Sequence, residues 1–145
     1  MTSMRTAMTT TPELLHAIPL FQGLPESAIA AIADLARPAE FAAGAVLMRQ
    51  GDPGETLVVI VEGRVTVDQN GRVIRELGPG DFLGEISLID GGPRTATATA
   101  VDHIDALVID REGFDHLMNK HPVVRLGLVM ALSERLRQRA PAISD

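Results

Sequence analysis

The sequence predicts a mainly β domain with flanking helices, an antiparallel sandwich or barrel. Three observations carry this. Between residues 46 and 110, apart from one short stretch near 85, apolar residues fall in runs of strand length punctuated by Gly, Pro, Asn and Asp. Before Pro38 and after Asp110 the apolar residues recur at helical spacing instead. Asn70-Gly71 lies between two strand-like runs, and Asn-Gly tolerates the positive φ that a tight hairpin needs.

The elements follow in order. PELLHAIPLFQG opens the ordered part. Pro25-Glu26-Ser27, followed by Ala28, Ile29, Ile32, Ala33 and Leu35, predicts a helix that begins near Pro25 and is stopped by Pro38. Residues 46–49 are the first predicted strand. Residues 56–61, TLVVIV, are continuously apolar and suit a strand buried on both faces. Glu62-Gly63 turns this run into the alternating RVTVD, and RVIREL returns after the hairpin. Thr95, Thr97 and Thr99 alternate with Ala96, Ala98 and Ala100, one face hydroxylic and the other small and apolar. IDALVID is the last predicted strand. REGFDHLMNKH reads as a short helix ended by Pro122, and residues 123–139 as a longer one with apolar residues on more than one face.

Composition narrows the function classes. The 145 residues suit one domain, and 46% are hydrophobic, yet there is no Trp or Tyr. The core must be built from aliphatic residues and Met. The formal net charge is -6 and Lys120 is the only lysine, so no basic face exists for duplex nucleic acid. No apolar run approaches the ~20 residues that span a bilayer, and MTSMRTAMTTT lacks the apolar core of a signal peptide. The absence of cysteine excludes disulfides and thiolate metal sites and fits a cytoplasmic protein. His16, His103, His116 and His121 are not at metal-ligand spacings. No Gly-Lys-Ser/Thr phosphate loop and no Gly-x-Ser-x-Gly elbow is present. A non-enzymatic protein with no catalytic group, metal or cofactor is expected. Residues 1–11 and 140–145 are expected to be tails around a domain at 12–139.

One loop carries chemistry. GDFLGEISLIDGGPRTATATA, residues 80–100, places Glu85 after Gly84 and Arg94 nine residues later. Glycine lets a backbone approach a ligand closely. The stretch after Gly84 is long enough for a turn or two of helix, whose first N–H groups attract an anion. Arg94 offers a planar fork suited to phosphate. Ionised Glu85 can only accept hydrogen bonds, so its natural ligand partner is a hydroxyl. An anion beside a hydroxyl in a small enclosed loop describes a sugar phosphate. Read blandly, Glu85 and Arg94 are a loop ion pair of little energetic weight.

Phe82-Leu83-Gly84-Glu85-Ile86-Ser87-Leu88, followed by Arg94-Thr95-Ala96, resembles the phosphate-binding cassette of the cyclic nucleotide-binding domain family. That family includes the bacterial catabolite activator, protein kinase A regulatory subunits and cyclic-nucleotide-gated channels. The glycine-spaced stretch 44–65 and the helical LMNKHPVVRLGL resemble it as well, so the likeness covers residues 12–139. It implies an antiparallel β-roll, a jelly-roll-like double-stranded β-helix, with an N-terminal helix, a short cassette helix and two C-terminal helices. It implies a cyclic nucleotide sensor, for cAMP first and cGMP second. Glu85 then corresponds to the acceptor of the ribose 2′-OH and Arg94 to the phosphate arginine. Gly84, Ile86, Ser87 and Ala96 correspond to positions where backbone N–H groups meet phosphate and ribose. Thr95 corresponds to a hydroxyl that contacts phosphate and, in some members, guanine. Glu55 corresponds to an acid that helps to hold the arginine. Leu88 and Phe114 correspond to the contact between cassette and hinge. Ser87 stands where alanine is usual. Without Trp or Tyr, the lid over the base must be aliphatic or arginine, from Leu132, Arg135 or Leu136. A homodimer or a downstream effector domain is expected to engage the last helix. Two rivals remain: a degenerate module used only for protein contact, and the sensor half of a transcription regulator, for which the six residues after Arg139 are too few to form a helix-turn-helix.

Overall fold

The computed structural model describes residues 12–139; the tails expected at 1–11 and 140–145 lie outside the described residues. The described chain begins with α1 (Pro12–His16), a 3-10 turn (Pro19–Phe21) and α2 (Glu26–Leu35). The strands β1 (Arg37–Phe41), β2 (Val46–Met48), β3 (Thr56–Glu62), β4 (Val65–Gln69), β5 (Arg72–Leu77) and β6 (Phe82–Leu83) follow. Then come α3 (Glu85–Asp90), β7 (Thr97–Ala100), β8 (Ile104–Asp110), α4 (Arg111–Lys120) and α5 (Pro122–Arg139). The strands form two antiparallel four-stranded sheets, ordered β1-β8-β3-β6 and β2-β7-β4-β5. This is the expected β-roll with its flanking helices.

The apolar run of β3 is explained by its two neighbours. Val58 and Ile60 point into the roll, where they meet Val65, Val67, Leu83, Ala98 and Ile104. Leu57 and Val59 point outward, where Leu107 and Ile109 of β8 join them under the helices. A strand covered on both faces has no polar side to alternate with. Phe21, Ile29, Ile32, Phe114, Leu117 and Leu128 complete this outer core. Ala98 and Ala100 face inward from β7, and their small size lets the two sheets close together.

Two strands were not anticipated. Pro38 reads as a stop, yet β1 runs through it, with Pro38 opposite Leu107. β1 is an edge strand, and a proline on an edge leaves no central ladder bond unmade. β6 has two residues, too few to show a period.

Leu107→Ala removes a fully buried side chain between the sheet and the helices. It is expected to lower unfolding free energy by about 2–5 kcal/mol, checked by urea denaturation.

Candidate functional site

Gly84 connects β6 to α3 with φ 94° and ψ -1°, in the left-handed region. A Cβ there would lie 2.5 Å from the Thr56 carbonyl oxygen and 2.7 Å from Arg94 Nη1. The backbone therefore turns on a residue that must be glycine, and the turn delivers Glu85 to the first position of α3. Glu85 is 3% exposed and Ser87 2%.

Arg94 reaches the same place from the loop before β7. Its backbone is tied to the loop after β2: its N–H donates to Asp52 O at 2.8 Å, and its carbonyl accepts from Gly51 N at 2.9 Å. The side chain is buried. Nη1 donates to Gly84 O, and Nη2 donates to both the carbonyl and the hydroxyl oxygen of Thr56, each at 3.0 Å. Three of its five N–H donors are thus held by neutral oxygens. Among the described residues no carboxylate hydrogen-bonds it, and two donors remain.

These residues line a cleft of about 600 Å³, partly open to solvent, at one end of the roll. All seven residues expected around a ligand line it: Gly84, Glu85, Ile86, Ser87, Arg94, Thr95 and Ala96. Its far wall is apolar, with Val67, Ile74 and Leu77. Arg135 of α5 closes one side. Its Nη1 lies 3.2 Å from Glu85 Oε2, its Nη2 donates to Phe82 O at 2.7 Å, and its guanidinium sits 4.2 Å from the centre of the Phe82 ring. Glu85 Oε1 is buried and has no hydrogen-bond partner among the described residues.

Burial raises the Glu85 pKa above its ordinary 4.5; its backbone hydrogen bond and the Arg135, Arg75 and Arg94 guanidiniums pull it back in part. Burial lowers the Arg94 pKa, opposed by Glu85 and then Glu55, with Arg111 adding to the lowering. Desolvation thus works against both charges in the cleft, and their opposite-charge neighbours offset part of it.

Other expectations need correction. Glu55 does not bond Arg94; its Oε1 accepts from Arg111 Nε at 3.0 Å, and its effect on Arg94 is electrostatic only. Of the three residues expected to supply a lid, only Arg135 lines the cleft. Leu132 packs against the outer core, and Leu136 is 67% exposed. The two lie four residues apart, about 6 Å along the axis, so the second runs past the packed core. Leu88 and Phe114 are both buried in that core. Arg75 and Arg111 were missed. Val67 pairs with Arg75 but Asp68 pairs with Val73, so Ile74 is an extra residue in β5. Arg75, opposite Val67 and two residues from Leu77, faces the cleft, and the bulge brings Ile74 to the same wall, which a strict period of two hides.

Comparison with known proteins agrees with this geometry. Residues 38–121 match the family described as cyclic nucleotide-binding domain. A CRP-like cAMP-activated global transcriptional regulator of Mycobacterium tuberculosis is 33% identical over 138 residues, 92% of this chain and 62% of the relative. A cyclic nucleotide-gated potassium channel of Rhizobium etli is 40% identical over 112 residues, 77% of this chain and 31% of the channel. The crystal structure of the Thermus thermophilus catabolite activator protein superposes with a TM-score of 0.75 at 33% identity, covering 83% of this chain and 59% of that one. The chain spans less than two thirds of the length of each.

The raised Glu85 pKa has a consequence for stability. The folded chain holds this proton more tightly than the unfolded chain does. The contribution is therefore full below pH 4.5 and is lost as pH rises through the folded value. Glu85→Gln, a neutral side chain of the same shape, lacks this term. Its stability relative to the wild type should rise as pH increases from about 4 upward. Urea unfolding of both proteins across that range checks this; a difference that does not vary with pH contradicts it.

Proposed function

The chain belongs to the cyclic nucleotide-binding domain family, and we propose that it is a cytoplasmic sensor module that binds cAMP in the cleft, with cGMP as second ligand. The observation that carries this reading is Glu85 Oε1, a buried carboxylate oxygen without a hydrogen-bond partner among the described residues, on a residue that lines the same cleft as the buried Arg94. A ribose 2′-OH is a donor of the size and polarity to meet that oxygen, and it leaves Oε2 with Arg135. The two remaining donors of Arg94 are suited to the cyclic phosphate, a single negative charge. The N–H groups around Ile86, Ser87 and Ala96 complete the cradle, and Thr95 adds a hydroxyl. The apolar wall of Val67, Ile74 and Leu77 takes the purine. Arg135, backed by Phe82, serves as the lid in place of an aromatic residue.

Binding regulates through the C-terminal helices. A ligand shifts their position only by contacts that differ between two arrangements, and Arg135 supplies such a contact. A second reading, contact with a partner through α5, is favoured by a specific observation. Val123, Leu126, Val129, Met130 and Leu136 are exposed apolar residues on that helix. Val123, Leu126, Val129 and Met130 recur three and four residues apart, with Leu136 seven beyond Val129, a spacing that suits a second copy of the chain or a downstream domain. This use of α5 is compatible with sensing. No helix of the described residues is long and apolar enough to cross a membrane.

Calorimetric titration with cAMP, cGMP and 5′-AMP tests the reading. The cyclic monoanions should bind more tightly than the 5′-AMP dianion; equal affinities would show that the loop does not enclose the phosphate. Arg94→Ala should weaken cAMP binding by about 10- to 100-fold, from the strength of a charge-assisted hydrogen bond. Undiminished binding by the folded variant would sink the assignment. Arg135→Ala should weaken it less, by about 3- to 30-fold, as a cation–π lid contributes.

A further inference from the structure

The geometry points to Arg111 as the positioning residue of the phosphate cradle, an inference that rests on the nucleotide reading above. Arg111 is the first residue of α4 and lies outside the cleft lining. Its guanidinium nonetheless joins three segments. Nε donates to Glu55 Oε1 at 3.0 Å, and Nη2 donates to Gly54 O at 3.0 Å and Ser87 O at 3.2 Å. Nη1 donates to Leu88 O at 3.4 Å. The Ser87 and Leu88 carbonyls belong to the last turn of α3; Ser87 O also accepts from the cap N–H of Gly91 at 2.9 Å, so Arg111 adds a second donor to it. One side chain thus fastens the end of the cassette helix to the loop that precedes β3.

That fastening bears on Arg94 through Gly54. A Cβ at Gly54 would lie 2.3 Å from Ser87 Cβ, 2.5 Å from Ser87 Oγ and 3.0 Å from Arg94 Cδ. The Gly54 backbone is therefore pressed flat against Ser87 and the shaft of Arg94. Arg111 holds both sides of this contact, the Gly54 carbonyl and the Ser87 carbonyl, with a single Nη2. Release of Arg111 frees Gly54 to move away from Ser87, and the Arg94 shaft loses one wall of its slot. The Glu85 end of α3 is held separately, by Arg135. Arg111 accordingly governs the phosphate end of the site and leaves the ribose end alone. Because Arg111 starts α4, the position of that helix and the shape of the cradle are set by the same bonds.

The test uses cAMP, 2′-deoxy-cAMP and 5′-AMP, titrated calorimetrically into the wild type and Arg111→Met. Arg111→Met keeps the apolar stem and removes the fork. Its cAMP affinity should fall about tenfold, the scale of one weakened hydrogen bond to the ligand. Its preference for cAMP over 5′-AMP, set at the phosphate end, should shrink. Its preference for cAMP over 2′-deoxy-cAMP, set at Glu85, should stay as in the wild type. Loss of general packing would lower both preferences together, and that result overturns the proposal, as does unchanged cAMP affinity. Arg111→Lys is the second variant if Arg111→Met does not fold. One ammonium cannot serve all four acceptors on these two segments, so its affinity should lie below the wild type with the same pattern of preferences; full recovery overturns the role of the fork. A wild-type chain that binds none of the three overturns the nucleotide reading and this one with it. Binding by the wild type with an unaffected Arg111→Met overturns this one alone.

Discussion

A guanidinium buried at one end of an aliphatic roll is the constraint on which the rest of this structure depends. Arg94 is charged at any ordinary pH, and its removal from water must be offset by oxygens placed around it. The chain supplies them from segments far apart in sequence: the carbonyl of Gly84, and both the carbonyl and the hydroxyl of Thr56. Each imposes its own local condition. Gly84 must adopt a positive φ to present its carbonyl, and β3 must begin at Thr56 to present two oxygens in one direction.

The second buried charge, Glu85, lines the same cleft as Arg94, and the two are not paired directly. Glu85 and Arg94 lie close enough to influence each other's protonation, yet no hydrogen bond joins them in the structure. A direct pair would satisfy both and close the site to a ligand. Arg94 instead spends three donors on neutral oxygens, and Glu85 gives one oxygen to Arg135. What remains, an open acceptor and open donors, is complementary to a molecule that carries a hydroxyl near an anion.

The two C-terminal helices hold the ends of the short cassette helix. Arg135 of α5 reaches Glu85 at its beginning, and Arg111 of α4 reaches the Ser87 and Leu88 carbonyls at its end. Six residues of helix have little stability of their own, because nucleation costs more than so few internal bonds return. The conformation of α3 is therefore set by its neighbours. This makes α3 a suitable place to couple occupancy of the cleft to the helices, with Leu88 and Phe114 in one apolar core between them.

The sequence by itself determined the fold class and singled out residues that line one cleft. The alternation of RVTVD and of Thr with Ala, the doubly buried run TLVVIV, and the Asn-Gly hairpin are local signals that depend on period and turn chemistry. Gly84, Glu85 and Arg94 were legible because a glycine, an acceptor and a fork at that spacing have few other uses. Only the tertiary structure decided which distant groups complete them. Pro38 could be accepted in a strand only because β1 falls at an edge, and Ile74 joins Arg75 on the cleft wall only because of a bulge. Among Leu132, Arg135 and Leu136, helical period cannot say where the core beneath α5 ends, so the one residue that reaches Glu85 could not be singled out. Arg111 and Glu55 are 56 residues apart, and nothing in either segment names the other. Such pairs arise from how the sheets and helices pack, and a long flexible arginine satisfies whichever carbonyls the packing leaves open.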